Sequence, residues 1–164
     1  MQGPEAIRAA LASTKDILNW YLGDLSDADL LVRPVAGANH IAWQLGHLIA
    51  AERGLVTTEL PGTPYPELPA GYTEQHGKDT AAQDPPRGFA TKAQYLDLFN
   101  KVRQTTLDAV AKLSDADLDK PTTGQMARFA PKLGNLFILQ ANHTLMHGGQ
   151  FSVVRRKLGK PVLF

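Results

Sequence analysis

Cysteine is missing from all 164 residues, which excludes disulfides, thiolate zinc sites, iron–sulfur clusters and a thiol nucleophile of the chain's own. Any bound metal must therefore use imidazole, carboxylate or water. Charge of one sign is also lacking: 17 Lys+Arg stand against 16 Asp+Glu, a formal net charge of +1. No block of basic residues is dense enough to track phosphates or hold an anionic membrane surface, so nucleic acid is disfavoured as a main partner. No run approaches the ~18 unbroken apolar residues of a membrane span. The start, Met1-Gln2-Gly3-Pro4-Glu5, lacks the basic and then apolar pattern of a signal peptide, so the expected compartment is the cytoplasm. The P-loop, the dinucleotide fingerprint, His-Glu-x-x-His, Gly-x-Ser-x-Gly and paired-carboxylate motifs are all absent, which weakens ordinary nucleotide-binding and hydrolase readings. What is present is 43% hydrophobic and 20% charged residues, in a length that suits a single domain over residues 1–164 with its own core.

Apolar residues recur at helical spacing in four segments. Ile7, Leu11, Leu18, Tyr21 and Leu25 follow Pro4, a favourable first-turn residue, and predict a helix over 4–22. Ile41, Leu45, Leu48, Glu52 and Leu55 predict a second, capped by Asn39 and ended before Pro61-Gly62. Residues 61–90 hold six prolines and four glycines, too many breakers for regular structure. A link of that length carries function or crosses a bundle end. The third helix starts with the capping-box pattern Thr91-Lys-Ala-Gln94 and buries Tyr95, Leu98, Phe99, Val102, Val110 and Leu113. The fourth opens at Pro131, carries Leu133, Leu136, Gln140, His143, His147, Phe151, Val154 and Leu158 on one stripe, and ends in Arg155, Arg156 and Lys157, which suit its C-terminal dipole. Leu25-Ser-Asp-Ala-Asp-Leu30 recurs as Leu113-Ser-Asp-Ala-Asp-Leu118, with Ser26 and Ser114 as caps of short turns. The fold expected is all-α, a four-helix bundle with a long crossover between helices 2 and 3, an architecture that builds metal sites from facing side chains.

Of five histidines, His143 and His147 lie four apart, one turn above each other, at the spacing from which two imidazoles reach one ion. Both fall near the middle of an apolar stripe, where an unpartnered imidazole costs on the order of 1–3 kcal/mol. A shared metal relieves that cost; hydrogen bonds to backbone, Gln150 or water are the alternative. Gln150, one turn after His147, is a candidate to orient a ligand or cofactor. Mid-helix Gly148 and Gly149 suggest that a neighbouring helix or a ligand approaches that backbone closely. His47 is the best third ligand, on a flank of the second helix shared with His40, Gln44, Ala51 and Gly54, with Gly46 admitting an opposing helix. Glu52, on the apolar stripe, reads as half of an ion pair. His40 reads as solvent-exposed near the helix start, with substrate contact as the lesser alternative, and His76 as a link residue without chemistry unless the link folds over the site.

Two segments carry a resemblance: Asn39-His-Ile-Ala-Trp-Gln-Leu-Gly-His47-Leu-Ile-Ala-Ala-Glu52, and His143-Thr-Leu-Met-His147-Gly-Gly-Gln150 with its continuation to Pro161. They resemble the ligand helices of the DinB-like superfamily, which includes YfiT-type metal-dependent hydrolases and thiol S-transferases. The resemblance covers the whole chain. It implies a metal triad of His47, His143 and His147 in a four-helix bundle that commonly dimerises, and, as the thiol where one is used, a low-molecular-weight compound such as bacillithiol, mycothiol or glutathione. The function expected is a metal-dependent enzyme in which a divalent transition metal (zinc, nickel or iron) activates a small thiol or water toward an electrophilic small molecule. The rival is a non-catalytic or stress-associated bundle whose metal is structural; a metal-free interaction module is the third.

Overall fold

The computed structural model describes residues 1–163. In chain order the α-helices are α1 (Gly3–Leu22), α2 (Ile41–Glu59), α3 (Tyr72–Gln75), α4 (Lys92–Val110), α5 (Asp115–Leu118) and α6 (Leu133–Lys157), with short 3-10 turns at Asp29–Leu31 and Lys78–Thr80. No strand occurs among the described residues, and none of the helices is long and apolar enough to cross a membrane. The four long helices, α1, α2, α4 and α6, form the bundle: α1 packs on α4 and α6, and α2 packs on the same two.

Local chemistry sets the helix starts. Thr91 Oγ1 accepts from the Gln94 amide at 3.3 Å while Gln94 Oε1 accepts from the Thr91 amide at 2.9 Å, the reciprocal arrangement expected at α4. The repeated Ser-Asp-Ala-Asp segments both use this device, Ser26 with Asp29 and Ser114 with Asp117. One expectation is corrected at α2. Its N-cap is His40, not Asn39, and His40 is buried rather than exposed: Nδ1 accepts from the Trp43 amide at 3.2 Å. The cause is long-range, because Phe89 of the crossover closes edge-on over that imidazole at 4.5 Å between ring centres. At the far end of α6, Arg155 does more than complement the helix dipole. It is buried, paired with Asp24 and bonded to the Tyr21 carbonyl at 2.8 Å, so it ties α6 to the end of α1.

The core has two apolar layers separated by a polar one. Leu18, Leu48, Phe99 and Phe151 belong to one apolar cluster; Leu11, Val56, Leu107 and Ala141 belong to the other. Between them on the four long helices lie Thr14, Glu52, Arg103 and Thr144, all buried. Arg103 Nε and Nη2 donate to the Glu52 carboxylate at 2.7–3.1 Å, Nη1 to the Leu11 carbonyl and Thr14 Oγ1 at 2.8 Å, and Nη2 to Thr144 Oγ1 at 2.8 Å. Glu52 also accepts from Thr106 Oγ1 at 2.6 Å. The ion pair expected for Glu52 is therefore present, and it touches all four helices.

The crossover between α2 and α4 is not wholly irregular, since it holds α3 and the 3-10 turn at Lys78–Thr80. It folds back along α2. The close approach expected at Gly46 is made by this segment and not by a helix: a Cβ there would lie 2.0 Å from His76 Cδ2. His76 is buried, with Nε2 2.8 Å from the Tyr95 hydroxyl and Nδ1 2.8 Å from the Tyr72 carbonyl. No such approach occurs at Gly148 or Gly149, where an added Cβ would meet nothing within 4 Å.

Candidate metal centre

His47 on α2 faces His143 and His147 on α6. One ligand-capable nitrogen from each ring lies within 4.8 Å of the other two. The ring centre of His47 is 5.2 Å from that of His143 and 5.6 Å from that of His147. The i, i+4 spacing does what helix geometry requires, bringing Nε2 of His143 and Nε2 of His147 to 3.1 Å.

Surrounding groups fix how each ring is aimed. Gln44 donates its Nε2 to the Asn39 carbonyl at 2.8 Å, which turns Oε1 toward His147 Nδ1 at 2.7 Å. A carbonyl oxygen can only accept, so Nδ1 of His147 carries the proton and Nε2 keeps its lone pair toward His143. His47 is held by a flat stack on Trp43, 5.0 Å between ring centres and 6° from parallel, with the backbone of His76 near enough to favour its protonated form. Second partners of this kind set tautomer and ring orientation at histidine metal sites.

Burial also keeps the rings neutral. Loss of water pushes His147 down to about 3 and His143 to about 4, with repulsion among the imidazoles acting in the same direction. His47 is lowered too, by burial first and by nearby Lys78 in addition. Three neutral imidazoles bind a cation without first shedding protons. Metal–nitrogen bonds of about 2.0–2.1 Å, opened by ordinary coordination angles, put neighbouring nitrogens roughly 2.9–3.4 Å apart, and the His143–His147 pair at 3.1 Å fits that spacing.

A cavity of about 630 Å³ opens on one side of the centre, with His47 and His143 in its wall and His147 buried behind them. A second recess, about 390 Å³, lies against Gln44 on another side. Gln150 is exposed and lines this second recess, not the cavity that His47 and His143 face. His76, read from the sequence as a residue without chemistry unless the link folded over the site, lines the larger cavity because the link does fold over. His40 caps α2 and appears in neither cavity wall. Gln44 and Trp43 were not singled out by sequence reasoning. The signal for Gln44 existed, since it shares the flank of α2 that holds His40 and His47; the stack of Trp43 on His47 left none.

A trio of imidazoles from two facing helices, beside a cavity and inside a bundle whose second and third long helices are joined by a long crossover, defines a class of helical bundle equipped to hold a divalent ion. The chain belongs to the DinB superfamily, whose family model matches residues 10–151. Among solved structures it is similar to YfiT from Bacillus subtilis, described as a probable metal-dependent hydrolase with an unusual four-helix bundle topology, at 15% identity and a TM-score of 0.68, covering 96% of this chain and 89% of that one. It is similar also to a conserved protein from Enterococcus faecalis, at 15% identity and a TM-score of 0.69, covering 98% and 99% of the two chains. No curated protein sequence matches it.

Proposed function

We propose that this chain is a metal-dependent enzyme in which His47, His143 and His147 hold a divalent transition ion (zinc, nickel or iron) and a small electrophile in the adjacent cavity is attacked by water or a low-molecular-weight thiol. The observation that carries this reading is the pair of Nε2 atoms 3.1 Å apart, one of them with its lone pair fixed inward by Gln44. A divalent ion bound there would supply Lewis acidity, bringing a water or thiol toward ionisation near neutral pH. The chain's own part is orientation and exclusion of solvent. Gln44 holds the His147 tautomer, the Trp43 ring holds His47, and Leu55, Leu136 and Leu139 give the cavity apolar walls. Three neutral ligands leave the ion its full charge and leave coordination positions for a reactant. Gln150, which lines the second recess together with Gln44, is proposed as an orienting group for a cofactor approaching on that side.

The rival, a purely structural metal, is disfavoured by the polar layer, because Glu52 and Arg103 already join the helices that a metal would join. The superfamily, and the fold shared with a protein named as a probable metal-dependent hydrolase, support a metal-dependent reaction, of which hydrolysis is the one that name gives. We place the protein in the cytoplasm as a homodimer; Ile138, Leu145, Met146 and Val153, each about half exposed on α6, support a second copy as the partner of that face. Elemental analysis of untagged protein beside His143→Ala tests the centre: near-stoichiometric metal in the wild type and little in the variant is expected, and equal content would overturn it. A screen of thiols and water against a panel of electrophiles then separates transfer from hydrolysis, and turnover that survives complete metal removal would refute the mechanism.

A further inference from the structure

The walls of the larger cavity narrow what it can take. On α2 they run from His47 to Glu59, about 18 Å of helix at 1.5 Å per residue. This stretch is lined by Ala50, Ala51, Gly54 and Leu55, opposite Leu136 and Leu139 of α6. Small residues thus floor a long trough whose other wall is aliphatic. A Cβ added at Gly54 would meet nothing within 4 Å, so space there is limited only by what a side chain would fill. The two ends differ. Beside the imidazoles stands Lys78, exposed, without an acidic group in ion-pair range among the described residues, and close enough to His47 to oppose its protonation. At the far end the lining turns polar, with Thr58, Thr122, Gln125 and the Glu59 carboxylate, which is engaged by the Thr123 and Gly124 amides.

One cation at the reactive end and an aliphatic trough leading away from it match a head-and-chain molecule better than a compact polar one. We infer that the cavity binds a medium-chain acyl compound, its carboxyl-derived head between Lys78 and the imidazoles and its alkyl chain along Ala51, Gly54 and Leu55, with Gly54 setting the chain length accepted. This deepens the proposed function and rests on it for the chemistry at the head. Burial of the chain is what the trough offers, and each methylene removed from water is worth up to about a fourfold gain in affinity. Lys78 acts on the head alone, so its effect is independent of chain length.

The test is calorimetric titration of the purified protein, with its metal content measured, using butyrate and octanoate as probes. Wild type is expected to bind octanoate well over tenfold more tightly than butyrate. In Gly54→Leu the octanoate affinity falls by about tenfold while butyrate is unchanged, because an added side chain obstructs the trough but not the head. Leucine is a better helix former than glycine, and the position is open, so this variant folds. In Lys78→Gln both probes weaken by the same factor. Octanoate bound no better than butyrate, or bound equally by wild type and Gly54→Leu, overturns the inference whatever the metal content. Chain-length dependence in a protein that carries no metal leaves the trough standing and overturns the proposed function instead.

Discussion

The protein buries two polar clusters on the same helix, five residues apart, and they are finished in opposite ways. Around Glu52 the donors and acceptors close on one another: the Nε, Nη1 and Nη2 atoms of Arg103 all find acceptors, and the carboxylate takes a further bond from Thr106. Around His47 the groups are imidazoles that also bond one another, but as ligand-capable nitrogens rather than as an ion pair. Two imidazole nitrogens share one hydrogen bond at 3.1 Å, a contact that a cation between them could replace, while the outer nitrogen of His147 is already held by Gln44. A closed buried network specifies a fold, whereas three neutral imidazoles gathered at one point are able to take a cation.

The largest way to break this contrast is Arg103→Met. It leaves the Glu52 carboxylate buried without its counter-charge, and a loss of about 3–5 kcal/mol in unfolding free energy is expected from denaturant titration. Chelation is the matching experiment at the other cluster. Removing the metal should lower the melting temperature without unfolding the protein, the unfolding free energy falling by about 2.7 kcal/mol if the ion had been present at a hundred times its dissociation constant. The metal-free protein should then be acid-sensitive in a defined window. Above the ordinary histidine value of 6.5 both folded and unfolded imidazoles are neutral. As pH falls from 6.5 toward about 4 and about 3, the unfolded chain takes up protons that buried His143 and His147 refuse, so stability declines across that interval. Thermal melts from pH 8 downward check the sign, and stability rising toward acid would contradict it.

Gln44→Leu sharpens the contrast further, because it frees the His147 tautomer without touching a proposed ligand. Metal affinity should drop about 10–100-fold while the metal-free melting temperature moves little, read by competition with a chromophoric chelator. The smallest effect belongs to Thr144→Val. It removes one of several acceptors from Arg103 within the closed cluster, for about 1 kcal/mol in a denaturant melt, and should leave metal content unchanged although His143 is its chain neighbour.

Much of this was legible along the chain. Period and capping located the four long helices to within a residue or two, and the His143–His147 pair announced itself by standing on an apolar stripe. Glu52 was recognisable as half of an ion pair for the same reason. Its partner was not, since Arg103 reaches it from 51 residues away. His40 was misjudged because its burial depends on where the crossover lies, with Phe89 over its ring, whereas His76 follows the alternative in which the link folds over the site, its ring against Gly46. The open surroundings of Gly148 and Gly149 likewise depend on what α6 does not touch.

Local periodicity alone was enough to determine that the chain forms helices, which faces they bury, and that two imidazoles share one of those faces, because these properties arise within a few residues of each other. Whether the ring at position 47 meets that pair, which way each nitrogen is aimed, and what space opens beside them were decided only when the helices packed and the crossover settled on α2. Distances between residues far apart in the chain are set by packing of the whole core, and no short-range preference encodes them.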